Sequence, residues 1–426
     1  ASYTYDDKYV LSGSIRWDRS NLWGTNSKYQ NKPLWSVGGS WNIYKEKFFQ
    51  ADFVDMLKLR ASYGIGGNIG RNTAPYLIAS YYDSSLVDGM AGSVNTPPNK
   101  DIRWEKTTTV NVGVDFALFR HRLSGTIEYY NKYSVDLLAA INGSPTQGFG
   151  YTTLMTNNGK MVNRGVEITL SGEIIRQKDF SWNASLLYAF NRNKVKHISV
   201  QPSLWDSRIS MPTSYLMVGK PLYGIYAYKW AGLNENGDPQ VYDAENNVTS
   251  GPARDYHALV YCGTTVPIHN ASLTNVLRYK GFEFSAMLIL DAGHKLRSSN
   301  IPSINMSNGR ITSTAKGIVD RWTQPGDVTD VPRLLFSNDT ENFNTHRTEL
   351  YRYSDLFVYD ASNIRLSNIS LAYRVPAHWC KKISLSGARL QFNVENVATF
   401  AFDSKANYDL GGKVKPNYVW GLYLNF

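Results

Sequence analysis

The residues of this chain that could do chemistry are few and poorly spaced for it. Its seven histidines (His121, His197, His257, His269, His294, His346 and His378) form no H-E-x-x-H or comparable ligand spacing. Cys262 and Cys380 lie far apart without a C-x-x-C partner, so they suggest neither a zinc site nor a disulfide framework. Asn234, Asn236 and Asp238 would fill positions one, three and five of a calcium loop ending on Glu245. Position six, where the sharp bend of such a loop needs glycine, is Pro239, so the segment reads as an ordinary turn without metal. Gly64, Gly66, Gly67 and Gly70 resemble a phosphate loop, but no helix follows to present its N-terminus to phosphate, and flexibility at a strand end accounts for them. No G-x-S-x-G elbow supports a Ser-His-Asp set. The reading is of a protein with no catalytic residue and no cofactor, and not of an enzyme. What remains is contact with a ligand. Tyr81, Tyr82 and Trp205 fall in long polar segments, where flat rings could stack on sugars or pack against peptide side chains.

Composition narrows the elements that must carry these residues. The 426 residues hold 45 Lys and Arg against 35 Asp and Glu, a net charge of +10 spread along the chain. Without a basic stripe, nucleic acid is a poor partner. Aromatic residues make up 13% of the chain, with 29 Tyr and 11 Trp, and such rings gather where protein meets lipid headgroups. Mean hydropathy is −0.35 and no run of about eighteen apolar residues occurs, which excludes a helical membrane protein. A β-barrel can be hydrophilic on average, because alternate residues face a wet lumen.

The pattern along the chain has a period of two. In the closing segment NYVWGLYLNF, Tyr418, Trp420, Leu422, Leu424 and Phe426 share one large apolar face, opposite Val419, Gly421, Tyr423 and Asn425. About ten residues suffice for a tilted strand to cross a bilayer, so this is the expected barrel-closing strand. Val110, Val112, Val114, Phe116 and Leu118 alternate with Asn111, Gly113, Asp115 and Ala117. The turn Arg120 to Arg122 leads to Leu123, Gly125, Ile127 and Tyr129 in the same alternation. A change of parity between Leu366 and Ile369 predicts a bulge near Asn368. At about ten residues per crossing, the chain supplies roughly thirteen strands of an all-β, transmembrane antiparallel β-barrel.

The connections alternate too. Short links at Asp6-Asp7, Arg120 to Arg122, Ile174 to Asp179, Tyr279 to Gly281 and Val375 to Lys382 are expected on one rim. Long polar links are expected on the other, at Arg19 to Pro33, Gly66 to Lys106, Ser134 to Met161, Arg192 to Pro267, Gly293 to Asp360 and Ala398 to Pro416. That asymmetry marks outer-membrane barrels, with short turns on the periplasmic side. The link Tyr44 to Asp55 reads as a tethered turn, with a one-turn amphipathic helix or a plug contact as alternatives. Ala1-Ser2-Tyr3 lacks the basic start and apolar core of a signal peptide, and the chain opens in mid-strand, as a piece of a longer protein would.

Several motifs resemble the barrel portion of the SusC/RagA-like TonB-dependent transporters of Bacteroidota. They include KYVLSGSIRWDRSNLWG (Lys8 to Gly24), PLWSVGGSWNI (Pro33 to Ile43), LKLRASYGIGGN (Leu57 to Asn68) and RWEKTTTVNVGVDF (Arg103 to Phe116). NRGVEITLSG (Asn163 to Gly172), VGKPLYGIYAYKWAGLNENGDPQ (Val218 to Gln240), YKGFEFSAML (Tyr279 to Leu288), DRWTQPGD (Asp320 to Asp327) and ASNIRLSNISLAYRVP (Ala361 to Pro376) follow in family order. The resemblance implies a 22-stranded barrel with a plugged lumen in outer-membrane lipid, with its long loops extracellular. It also implies a SusD-like surface lipoprotein over the opening and energy drawn through TonB. Residues 1–426 would then be the C-terminal part of the barrel, with the plug and the N-terminal strands in the remaining part of the transporter. The implied ligand is an oligopeptide or an oligosaccharide, and the segments PLWSVGGSWNI and KPNYVWGLYLNF look more like the peptide-importing branch. A passive porin-like channel or a surface adhesin on the same barrel is the alternative.

Overall fold

The computed structural model of the chain describes residues 1–18, 24–26, 29, 32–70, 75–86, 89–142, 146, 153–199, 209, 216–251, 253, 255–306, 314–336, 345–411 and 414–426. Thirteen strands share one sheet. They are β1 (Ser2–Tyr5), β2 (Tyr9–Arg16), β3 (Leu34–Asn42), β4 (Val54–Asn68), β5 (Glu105–Leu118), β6 (Leu123–Asn142) and β7 (Thr153–Arg176). Then follow β8 (Phe180–His197), β9 (His269–Tyr279), β10 (Phe282–Ala292), β11 (Asn363–Arg374), β12 (Gly387–Ala401) and β13 (Asn417–Asn425). Order in the sheet follows order in the chain, and β1 and β13 each have a single neighbour, so the barrel is not closed. The chain divides into two compact units. One comprises Ala1–Pro202, Leu216–Leu222 and Ala271–Lys280; the other comprises Ser203–Tyr215, Tyr223–Asn270 and Gly281–Phe426.

The period-two reading of the strands holds in the register. Ala61 on β4 pairs with Val112 on β5, which pairs with Tyr129 on β6; Leu59, Val114 and Ile127 form the next row. β-Branched and aromatic side chains in such rows cover one face of a pleated sheet, and here they remain exposed on it. A row of this kind left uncovered fits lipid and not water.

Short turns close where the sequence placed them. Asp6 and Asp7 adopt left-handed φ of 50° and 51°, a conformation a short carboxylate side chain tolerates, and join β1 to β2. Phe119, Arg120 and His121, all at positive φ, join β5 to β6. The register shift expected near Asn368 lies between Leu366 and Asn368, in the pairings of β11 with both β10 and β12. The link after β3 is a tethered turn. It contains the single 3₁₀ turn Ile43–Lys45, and Glu46 accepts from the Trp41 indole at 3.0 Å.

Two expectations need correction. The link from Ser134 to Met161 is not a long loop, because β6 and β7 run on as a paired ribbon through Leu138↔Asn157 and Asn142↔Thr153. Apolar residues continue there with the backbone ladder, as Leu137, Leu138, Ala139 and Ile141 on β6. A left-handed Asp136 and register shifts around Leu137 absorb the mismatch, and Arg103 reaches Asp136 at 2.7 Å to hold the ribbon.

The second correction concerns the other long links, which carry structure of their own. In the first unit Ile78–Ser84 pairs with Gly89–Thr96 as a hairpin. In the second, Gly224–Tyr228 pairs with Leu259–Thr264, Trp230–Leu233 with Pro239–Tyr242, and Lys295–Arg297 with Val358–Asp360. The helix Thr345–Arg352 packs among them, and its Leu350 joins Tyr228, Val241 and Ala258 in a buried cluster. Tyr351 joins Ile304 and Phe357 in another. Polar sequence hid these small cores, because each uses only a few apolar residues separated by long stretches of chain.

Candidate lumenal face and ligand-contacting loops

The polar face of β2 to β6 is built from small side chains around one charged group. Ser12, Ser14, Ser36, Ser40, Ser62 and Gly64 alternate with the apolar residues, and depressions of about 370 and 240 Å³ lie over them. Beside these, the Arg60 guanidinium on β4 reaches Asp115 on β5 at 3.1 Å and Glu128 on β6 at 3.0 Å. Asn111 donates to Glu128 at 2.6 Å and Thr126 to Asp115 at 3.0 Å, so both carboxylates are tied into the network. Gly113 makes the arrangement possible: a Cβ there would stand 3.0 Å from the Arg60 guanidinium carbon. One guanidinium is shared by two carboxylates, and Lys58 lies across from Asp115 on the same face. The polar face of the second unit is likewise ion-paired, with Arg365 on Asp291 at 2.9 Å and Arg389 on Glu283 at 3.2 Å.

Tyr81 and Tyr82 both lie on the Ile78–Ser84 strand and are 72% and 53% exposed. As neighbours on a strand they point to opposite faces of the hairpin, so a single ring cannot stack on both. Tyr81 lies across Gly92 of the partner strand, where a Cβ would meet its ring at 3.4 Å. Trp205 lies outside the described residues.

Tyr418, Trp420, Leu422 and Leu424 fall in β13, opposite Val394, Phe392, Leu390 and Ala388 of β12. The Phe392 and Trp420 rings stand 4.2 Å apart. Phe426 follows the strand, 92% exposed.

The turn at Asn234 uses its ligand-like groups internally. Asn234 Oδ1 accepts from the amides of Asn236 and Asp238. The Asp238 carboxylate is gripped by Arg333 through two nitrogens at 3.0 and 2.8 Å, and by Arg347 at 2.9 Å. Arg347 is 3% exposed, and burial pushes its guanidinium below the usual value against the pull of Asp238. A carboxylate held by two guanidiniums is not available to calcium.

Gly64 sits inside β4, and Gly66 and Gly67 are among the last three residues of that strand. A Cβ on Gly64 would meet Ser36 Cβ at 2.9 Å, and one on Gly67 would meet Trp104 at 3.1 Å, so close packing accounts for these two. Both cysteines are free thiols, and burial pushes Cys262 up to about 11, far from a reactive thiolate.

The alternation of strand faces, with its charged interior, meets a known pattern. Residues 1–397 match the family described as TonB dependent receptor-like, beta-barrel. The chain belongs to this family of outer-membrane barrels. It is 27% identical to TonB-dependent receptor P3 of Formosa agariphila, over 99% of this chain and 43% of that protein. It is 25% identical to TonB-dependent receptor SusC of Bacteroides thetaiotaomicron, over 93% of this chain and 39% of that protein. Among solved structures, the RagAB peptide transporter superposes with a TM-score of 0.80 at 23% identity, covering 100% of this chain and 47% of that chain. The chain thus spans less than half the length of these relatives, and the SusC/RagA-like resemblance of its motifs is upheld.

Proposed function

We propose that this chain forms the C-terminal part of the barrel of an outer-membrane nutrient importer, energised through TonB and capped by a SusD-like surface lipoprotein. The observation that carries the reading is the two-faced sheet: uncovered apolar rows on one side, and on the other a polar face whose Arg60, Asp115 and Glu128 are paired to one another. Family membership adds TonB dependence to that architecture. The plug and the N-terminal strands belong, on this reading, to the rest of the polypeptide. Long loops face outward and carry ligand contacts at Tyr81, Tyr82 and Trp205. The ligand is an oligopeptide or an oligosaccharide, and the source is a member of the Bacteroidota, as are the relatives. Tyr418, Trp420, Leu422, Leu424 and Phe426 close the barrel against its first strand.

The test is uptake of labelled oligopeptide and oligosaccharide pools by cells carrying or lacking the gene, with and without TonB. Import that needs both supports the reading. Import that persists without TonB would instead mark a passive channel, and no import of either pool with normal cell attachment lost would mark an adhesin. Intact mass of the native protein should give a species much heavier than 48.0 kDa. Alanine at Tyr81 and Tyr82 together should raise the ligand concentration needed for half-maximal uptake by roughly five-fold, the scale of one aromatic stacking contact of about 1 kcal/mol.

A further inference from the structure

The turn between β11 and β12 is unlike a plain periplasmic turn. It contains a short helix, Ala377–Lys381, anchored from below by Cys380, which is fully buried, and by Leu385. The backbone folds tightly over that anchor, with the amides of Ile383 and Leu385 both donating to Cys380 O at 3.0 Å. With one side fixed, Trp379 and Ile383, one turn apart, are left 55% and 68% exposed. Lys381 and Lys382 are exposed beside them. Among the described residues neither lysine has a carboxylate within ion-pair distance, and no acidic residue occurs between Arg374 and Ser386. Directly along the strands from this turn, the Phe282 and Tyr373 rings meet at a tilt, 4.5 Å apart, on the apolar face. A ring belt followed by an exposed Trp and Ile, then by unpaired cations, is the order in which a bilayer passes from hydrocarbon to headgroup.

We propose that this turn is a binding site for the headgroup of an anionic phospholipid of the periplasmic leaflet, with Trp379 and Ile383 among the acyl chains and Lys381 and Lys382 around the phosphate. The inference rests on the membrane reading above and goes beyond it, because it assigns a lipid charge to one place on the rim. Charge complementarity selects the occupant: two lysines without acids favour a headgroup of net negative charge over a zwitterionic one.

The experiment uses the complete transporter, purified in detergent and titrated with phosphatidylglycerol or phosphatidylethanolamine while bound lipids are counted by native mass spectrometry. The wild-type protein should retain phosphatidylglycerol in preference, and the preference should fade at high salt. K381Q/K382Q should weaken phosphatidylglycerol retention on the order of 30-fold, at about five-fold per cation, with phosphatidylethanolamine unchanged. K381R/K382R should keep it. Equal retention of the two lipids by wild type, a salt-independent preference, or undiminished phosphatidylglycerol binding in K381Q/K382Q would each overturn the site. Heat-modifiable migration on a gel reports the barrel separately: a protein that lacks it and holds neither lipid would overturn the membrane reading and the site with it.

Discussion

At the scale of single residues, the second unit depends on one carboxylate. Asp238 is shared by Arg347, which is almost wholly buried, and Arg333, and Arg347 in turn donates to the carbonyls of Ile304 and Arg333. Removing one member of a buried ion pair strands the charge of the others, at a cost of about 3–5 kcal/mol. Asp238→Ala is therefore expected to open the segment around Thr345–Arg352 to hydrogen exchange, leaving β10 to β13 protected; an unchanged exchange pattern would refute the clamp. A second carboxylate sets a pH limit. Burial acts to raise Asp360, but hydrogen bonds from the Ser362 side chain and amide, together with the Lys295 ammonium, outweigh it and hold the carboxyl at about 2, below its ordinary 3.8. A folded value below the unfolded one means that the contribution is full above about pH 4 and is lost as pH falls toward 2. Pepsin should cut near Lys295–Arg297 increasingly over that interval, whereas Asp360→Asn should be cut at a similar rate throughout. None of this was legible in the sequence. Asp238 and Arg347 are 109 positions apart, and the same Asn-x-Asn-x-Asp spacing that suggests calcium serves a turn whose charge is answered from a distant helix.

At the scale of elements, the two faces of a strand make opposite predictions for adjacent residues. Leu11 lies on the apolar face of β2 and Ser12 on the polar one, beside Gly38. Leu11→Arg places a cation in hydrocarbon and should cost about 2–4 kcal/mol near the bilayer centre, whereas Ser12→Arg, facing the lumen, should cost well under 1 kcal/mol; barrel unfolding in urea reads both. Equal effects would mean the faces are misassigned. Glycine positions discriminate in the same way. A Cβ at Gly165 on β7 would collide with the Tyr130 hydroxyl and stand 2.5 Å from the Phe190 carbonyl, so Gly165→Ala should lower the amount of assembled protein. The strands themselves were readable because burial against lipid imposes a strict alternation, and so was the bulge near Asn368, where that alternation slips. The extension of β6 and β7 was not, because a left-handed Asp136 and the register shifts around Leu137 break the period-two pattern at its start.

At the scale of the molecule, the sheet keeps its strands in chain order, and long links are inserted between neighbours without altering which strands pair. Replacing residues 75–98, with their Tyr81 hairpin, by a short turn should leave heat-modifiable barrel in normal amount while reducing ligand retention; a loss of barrel instead would show that the hairpin is part of the framework. The loops were legible only as long and polar. Tyr81 and Tyr82 gain a geometry that sequence could not give, whereas Trp205 lies outside the described residues.

This separation of wall from loop has a consequence for descent. Because Val54–Asn68 and Glu105–Leu118 pair directly across everything inserted between them, that insertion can lengthen, shorten or be exchanged between genes without shifting a single wall residue from lipid to lumen. Sequence drift should therefore run fast in residues 75–98 while the parity of the flanking strands stays still.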